Sequence, residues 1–162
     1  MYVCYLDFDG VLHQESVLLT RARVFVAMPG HHLFEWEGIL RELLEPYPEV
    51  KIVLSTPWVR LRSFSYAKRR LHPALQIRVV GATYHRRWME SDEFAEIPRG
   101  IQILGDVLRR NPLDWFAIDD DGFAWPAWCR NKLVLTQQQI GLTDLAVQRD
   151  IKRRLKRWRR RN

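Results

Sequence analysis

Five short apolar runs, "YVCYLDF", "VKIVLS", "QIRVVGA", "DWFAID" and "KLVLT", recur along the chain, with helix-like stretches between several of them. Strands that alternate with helices bury both faces most readily as a parallel sheet covered by helices, so the expected fold class is α/β with a central, mainly parallel sheet. The segment "FEWEGILRELLEPYP" sets Phe34, Ile39, Leu40, Leu43 and Leu44 at helical spacing and stops near Pro46 and Pro48, as a crossover helix between the first two core strands should. A second helix is expected over about 59–71, and a third over "RGIQILGDVLRR", ended by Asn111-Pro112. A terminal helix is expected over 143–158, with Thr143 as N-cap and Asp144 in its first turn. Between Leu12 and Pro29 the alternation is uneven, which suits a β-hairpin or short flap over about 12–30 and is too short for an independent lid. "GATYHRRWMESDEFAEIP" shows no clear period and reads as irregular structure near one end of the sheet.

A length of 162 residues supports one domain with a substantial core, taken here as 1–150 followed by a basic helix end or tail over 151–162. Apolar residues make up 47% of the chain and no window approaches the length of a membrane span, so no membrane partner is expected. Aspartates stand near the N-terminus where a secretory leader needs a cationic and then an apolar stretch, and Cys4 and Cys129 lack paired spacing; both features suit a cytoplasmic protein with reduced thiols. The net charge of +7 belongs to the end of the chain, because "IKRRLKRWRRRN" holds eight Lys or Arg and no acid. The rest of the chain is close to neutral.

Chemistry concentrates at the ends of three apolar runs. The first ends in Asp7-Phe8-Asp9-Gly10, the second in Ser55-Thr56-Pro57 and a later one in Asp119-Asp120-Asp121-Gly122. In an open α/β sheet ligands bind outside the carboxyl ends of the strands, so parallel neighbours would bring as many as five carboxylates and two hydroxyls into one crevice. Their mutual repulsion calls for a cation, and an all-oxygen cluster suits Mg²⁺ with a substrate phosphate completing its shell. At a strand end the side chains of an Asp-x-Asp pair point in different directions, so one carboxylate can attack while the other moves a proton.

"LDFDGV", "IVLST" and "FAIDD" stand in the order of the first, second and fourth motifs of the haloacid dehalogenase (HAD) superfamily of aspartate-dependent phosphohydrolases, which the chain resembles over roughly residues 2 to 143. "YPEVKIVLSTPW", "WFAIDDD" and "LVLTQQQIGLT" also resemble the small HAD domains of bacterial RNA-repair proteins. The resemblance implies a Rossmann-like three-layer α/β/α sandwich with a minimal cap or none. It implies Asp7 as nucleophile and metal ligand, Asp9 as general acid and base with its backbone carbonyl on Mg²⁺, and Gly10 as the tight turn that follows. The phosphate-holding hydroxyl falls on Ser55, with Thr56 the adjacent alternative; Asp120 is the first choice for a further metal ligand, and Asp119 a second ligand or a hydrogen-bonding support. The third motif is a lone basic residue, and Arg99 is preferred over Lys68.

The expected function is therefore a Mg²⁺-dependent phosphatase that hydrolyses a phosphomonoester through an aspartyl-phosphate. Nucleic-acid ends are the preferred substrate, because the basic end of the chain could bind RNA or DNA. The alternatives are a small-molecule or nucleotide phosphatase of the same mechanism, and a weakly active nucleic-acid-binding module. His13 stands close enough to the first motif to touch substrate, His31 and His32 suit a surface turn, and at most one of Trp58, Trp88, Trp125 and Trp128 is expected to stack on a base. On the terminal helix Ile151, Leu155 and Trp158 share one face, surrounded by cations.

Overall fold

The structure is a computed structural model that describes residues 1–19 and 24–160; residues 20–23 of the expected flap and 161–162 of the basic end lie outside the described residues. The chain runs β1 (Tyr2–Leu6), β2 (Val17–Leu19), β3 (Val24–Val26), α1 (Glu37–Leu44), β4 (Val50–Leu54), α2 (Pro57–Leu61), α3 (Phe64–Arg70), α4 (Pro73–Gln76), β5 (Val79–Ala82), α5 (Ser91–Glu96), α6 (Arg99–Arg110), β6 (Asp114–Asp119), β7 (Leu133–Leu135) and α7 (Leu145–Arg159). Five strands form one sheet in the order β5-β4-β1-β6-β7, with every adjacent pair parallel. The five apolar runs are these five strands, in a Rossmann-like α/β arrangement. The short strands β2 and β3 pair antiparallel as a separate hairpin following the first motif.

Burial on both faces explains why β1 is apolar throughout. Cys4 and Leu6 join Ile52, Leu54, Phe116 and Ile118 under α1 and α7, whereas Val3 and Tyr5 join Val53, Ala117 and Ile103 under α6. These are the two cores of a three-layer sandwich. The Tyr5 hydroxyl donates to Asp106 at 2.9 Å, and Asp106 also accepts from Arg110 Nε at 2.8 Å, so a buried polar network ties α6 to the central strand. Strand order reverses at β1, whose neighbours β4 and β6 diverge on either side. The crevice at their carboxyl ends is the switch point where such sheets bind ligands.

Several local expectations change. The helix expected over about 59–71 is two short helices, because the backbone leaves helical geometry at Arg62 and the Ser63 hydroxyl accepts from Tyr66 N at 3.0 Å as a fresh N-cap. The terminal helix is capped by Asp144, which accepts from Ala146 N at 2.7 Å; Thr143 is occupied by the preceding 3₁₀ turn, donating to Ile140 O. The aperiodic segment after β5 contains α5, whose N–H groups at Asp92 and Glu93 are capped by Glu90. It has no buried side chain and so leaves no helical stripe to read. Among the described residues no helix is long and apolar enough to cross a membrane.

The basic end of the chain is built into the domain. Val147, Ile151, Leu155 and Trp158 of α7 are all buried, and the Trp158 ring stacks on Tyr2 and Phe116 at centroid distances of 4.8 and 5.0 Å. Its indole N–H donates to Asp114 at 3.0 Å, so both its apolar body and its polar tip are satisfied. Trp158→Ala is expected to lower stability by about 3–5 kcal/mol, the usual cost of emptying a large aromatic site. Urea denaturation checks this, and a loss below about 1 kcal/mol would show that α7 is a loosely attached tail.

Candidate active site

Three parallel strand ends assemble the site. Asp7 follows β1 and is 3% exposed; its N–H donates to Ile118 O at 3.1 Å, and its Oδ1 accepts from Phe8 N at 2.7 Å. Ser55 follows β4, with its N–H on Leu6 O at 2.8 Å, and Asp119 closes β6 with its Oδ1 accepting from Asp121 N at 3.0 Å. The ladder hydrogen bonds thus fix the backbone beneath all three side chains. The rigid placement follows from the strands, not from the loops beyond them.

Arg99, the first residue of α6, reaches into this group. Its Nη2 lies 3.5 Å from Asp7 Oδ2, its Nε 3.3 Å from Asp119 Oδ2, and its Nη1 donates to Ser55 O at 2.9 Å. One guanidinium therefore touches the ends of β1, β4 and β6. Lys68, the other third-motif candidate, instead donates to Val79 O of β5 at 3.4 Å and makes no ion pair with Asp7 or Asp119.

The residues after β1 divide the two aspartates. Gly10 takes φ of +69°, and a Cβ there would collide with the Asp120 carboxylate, so glycine both permits the turn and admits Asp120 beside it. Thr136, just past β7, donates its hydroxyl to Gly10 O at 2.8 Å and pins that turn. Asp9 has partners of its own: it accepts from His13 Nε2 at 2.9 Å and from Trp58 Nε1 at 3.1 Å. His13 Nδ1 accepts the Phe34 N–H at 3.2 Å, which leaves the ring proton on Nε2 and directed at Asp9. Both His13 ring nitrogens are thus engaged, so it holds Asp9 rather than touching substrate. Thr56 Oγ1 accepts from Trp58 N at 3.4 Å as the cap of α2, whereas the buried Ser55 Oγ has no hydrogen-bond partner.

The donor set fits a divalent cation. Asp7, Asp119 and Asp120 each present a carboxylate oxygen within 4.8 Å of the other two, and Asp119 Oδ2 is buried without an aligned hydrogen bond. Three carboxylates against one guanidinium leave negative charge in a poorly hydrated pocket, and hard oxygen ligands suit Mg²⁺. The titration behaviour records the same imbalance. Burial pushes Asp7 well above the ordinary carboxylate range, opposed by Arg99 and reinforced by Asp119, Asp9 and Asp120. Burial likewise raises Asp119 to about 7 and Asp120 to about 6. For Arg99 burial works against the charge, but Asp7 and Asp119 outweigh it and leave its pKa raised.

A sequence-family profile described as the HAD domain in Swiss Army Knife RNA repair proteins matches residues 3–147. The chain belongs to this family. No curated protein and no solved structure matches it. The matched span contains Asp7, Ser55, Arg99, Asp119 and Asp120, the residues gathered at the strand ends.

Of the residues singled out in the sequence, the structure brings together Asp7, Gly10, Ser55, Arg99, Asp119 and Asp120, with Asp9 alongside on its own partners. His13 and Trp58 as supports of Asp9, and Thr136 as support of Gly10, are found only in three dimensions. Thr136 does carry one legible signal, since it too directly follows an apolar strand run.

Raised carboxyl pKa values mean that the folded state binds these protons more tightly than the unfolded chain does. Without a divalent cation, the contribution of these carboxyl groups to stability should be fully present below about pH 4 and be lost as pH rises through about 6 to 7. Thermal melts should show Mg²⁺ raising Tm more at about pH 8 than at about pH 5. Asp120→Asn should raise the metal-free Tm at the upper pH and blunt the Mg²⁺ response. Equal Mg²⁺ responses at both pH values would contradict the cluster as a cation site.

Proposed function

We propose that this protein is a Mg²⁺-dependent phosphatase of the cytoplasm that hydrolyses a phosphomonoester through an aspartyl-phosphate on Asp7, acting at nucleic-acid ends. The observation that carries this reading is the contact of Arg99 with Asp7, Asp119 and the Ser55 carbonyl at the carboxyl ends of three parallel strands. Family membership supports the reaction class, and the family's place in RNA repair proteins supports the substrate. The buried free thiols of Cys4 and Cys129 suit a reducing compartment.

In this reading Asp7 Oδ attacks phosphorus in line with the leaving oxygen, and Asp9 donates a proton to that oxygen as the P–O bond breaks. Asp9 then takes a proton from the water that attacks the phosphorus of the acyl phosphate, releasing phosphate and restoring the Asp7 carboxylate. The Ser55 hydroxyl, buried and free of other partners, is available to a phosphoryl oxygen. Arg99 offsets phosphoryl charge and fixes the Asp7 carboxylate, and it does so without reorganising because Asp119 and Ser55 already hold it. Asp7, Asp119 and Asp120 would hold Mg²⁺, with the Asp9 carbonyl as the family places it; when bound, the ion supplies charge neutralisation that lets an anionic nucleophile approach an anionic phosphate. A cluster that is too negative alone becomes competent once that charge is met.

Hydrolysis of an aryl phosphate tests the reaction. Asp7→Asn should lower kcat by more than about 1,000-fold in saturating Mg²⁺, the scale of losing a covalent nucleophile. Equal rates for the two proteins would refute the enzymatic reading. For Asp9 the role of its neighbours is separable: His13→Ala should cut kcat on the order of 10- to 100-fold with KM little changed, and His13→Gln, which keeps an N–H donor, should recover part of that loss. A change confined to KM would mean that His13 acts on substrate binding instead.

A further inference from the structure

A second groove, of about 340 Å³, opens beside the crevice just described. One wall comes from the end of α2 and the start of α3, including Arg60, Arg62 and Phe64; the other comes from β5 and the segment after it, through His85, Arg86, Arg87 and Trp88. No acidic residue lines it. Trp88 is 64% exposed, an unusual setting for the largest apolar side chain; it stacks on His85 at 5.6 Å, and the Arg87 guanidinium lies over its ring at 5.7 Å, so the exposed ring already holds one flat partner and one cation. Arg86 and Arg87 are both exposed, and neither forms an ion pair with an acid among the described residues. The volume is in the range that accommodates a small organic group.

Location gives the groove its meaning. Arg60 lines both this groove and the neighbouring crevice of about 230 Å³ that contains Thr56, Arg99 and Asp121. Thr83, at the end of β5, donates to Leu54 O at 2.9 Å, one residue before Ser55. The groove therefore neighbours the crevice that holds Arg99, with Arg60 between them, at the same end of the sheet. The cationic face of α7 is placed differently. Lys156, Arg157 and Arg160 flank Trp158, which packs on Tyr2 and beside Asp114, the first residues of β1 and β6. A five-residue strand at about 3.3 Å per residue separates that end of the sheet from the site by roughly 16 Å.

We propose that the groove between Arg60 and Trp88 binds the nucleotides next to the reacting end of a single-stranded nucleic acid, with Trp88 as a base-stacking platform and Arg60, Arg86 and Arg87 meeting the backbone phosphates. Cations in an acid-free groove beside an exposed aromatic face match the two chemistries by which single strands are held. A duplex would not serve, because its bases already stack on one another and offer no free face to Trp88. The proposal rests on the phosphatase reading for where the terminal phosphate goes, but not for the binding of the strand.

The test is a fluorescence-anisotropy titration of the full chain with labelled single strands of about 8 nucleotides, RNA and DNA of one sequence, both bearing hydroxyl ends and measured in EDTA. No turnover enters, so a failed phosphatase assay leaves this result standing, and a failed titration leaves the phosphatase assay standing. At least one of the two strands should bind. Trp88→Ala should weaken that binding roughly 5- to 100-fold, and Arg86→Ala with Arg87→Ala should flatten the dependence of log K on log salt by about 1.4, near 0.7 for each lost phosphate contact. Lys152→Ala with Lys156→Ala on α7 should change affinity less than twofold. All these side chains are exposed, and an unchanged Tm accompanies each variant. Absence of binding by either strand, indifference to the Trp88 and Arg86/Arg87 changes, or a larger effect from the α7 pair would each overturn the proposal.

Discussion

A single buried guanidinium sets the terms for everything around it. Arg99 meets carboxylates from β1 and β6 and a carbonyl from the end of β4, and none of the three contacts is local in sequence. A buried cation costs several kcal/mol to desolvate and is retained only where its partners compensate. Here the compensation is excessive: Asp7, Asp119 and Asp120 carry more negative charge than one arginine can balance. That surplus is what prepares the pocket for a divalent ion and, through it, for a phosphate. The guanidinium itself depends on α6, which the Tyr5–Asp106–Arg110 network fastens to the central strand from the opposite end of the helix.

The Asp-x-Asp stretch shows how one turn of chain separates two roles. Asp7 stands just past the β1 ladder, its N–H bonded to Ile118 O of β6 and its carboxylate to Phe8 N, and it faces Arg99. Two residues later Asp9 has left the sheet and turned to a different set of partners, His13 and Trp58. Phe34 takes the left-handed region at φ of 60°, uncommon for a bulky residue, and in that conformation its N–H reaches His13 Nδ1. The loop between β1 and α1 therefore supports a carboxylate as well as connecting two elements.

Much of this arrangement is legible in the sequence. The apolar runs marked all five sheet strands because each is buried on at least one face, and their polar ends marked Asp7, Ser55, Asp119 and Asp120, since a parallel sheet brings strand ends together. The choice between Arg99 and Lys68 was not decidable from spacing, because both sit on helices next to core strands and only the tertiary packing sends one guanidinium inward. His13 stands close enough to the first motif to touch substrate, but its role is set by Phe34 and Trp58, which lie 21 and 45 positions further along. Of the Arg86–Trp88 groove the sequence marked only Trp88, as one of four tryptophans able to stack on a base; its cations lie in a loop and at a helix end, where periodicity carries no information. Likewise Ser63 and Asp144 redirected helix boundaries by side-chain capping, a competition between neighbouring hydroxyl and carboxylate groups that hydrophobic pattern does not register.

The most direct measurement is a crystal structure of the protein grown with Mg²⁺ and beryllium fluoride, a mimic of a phosphoryl group attached to a carboxylate. The arrangement described above predicts beryllium bonded to a carboxylate oxygen of Asp7, fluorines facing Ser55 and Arg99, and the metal among Asp7, Asp119 and Asp120. An unmodified Asp7, with the mimic on another residue or the metal bound away from this cluster, would contradict it.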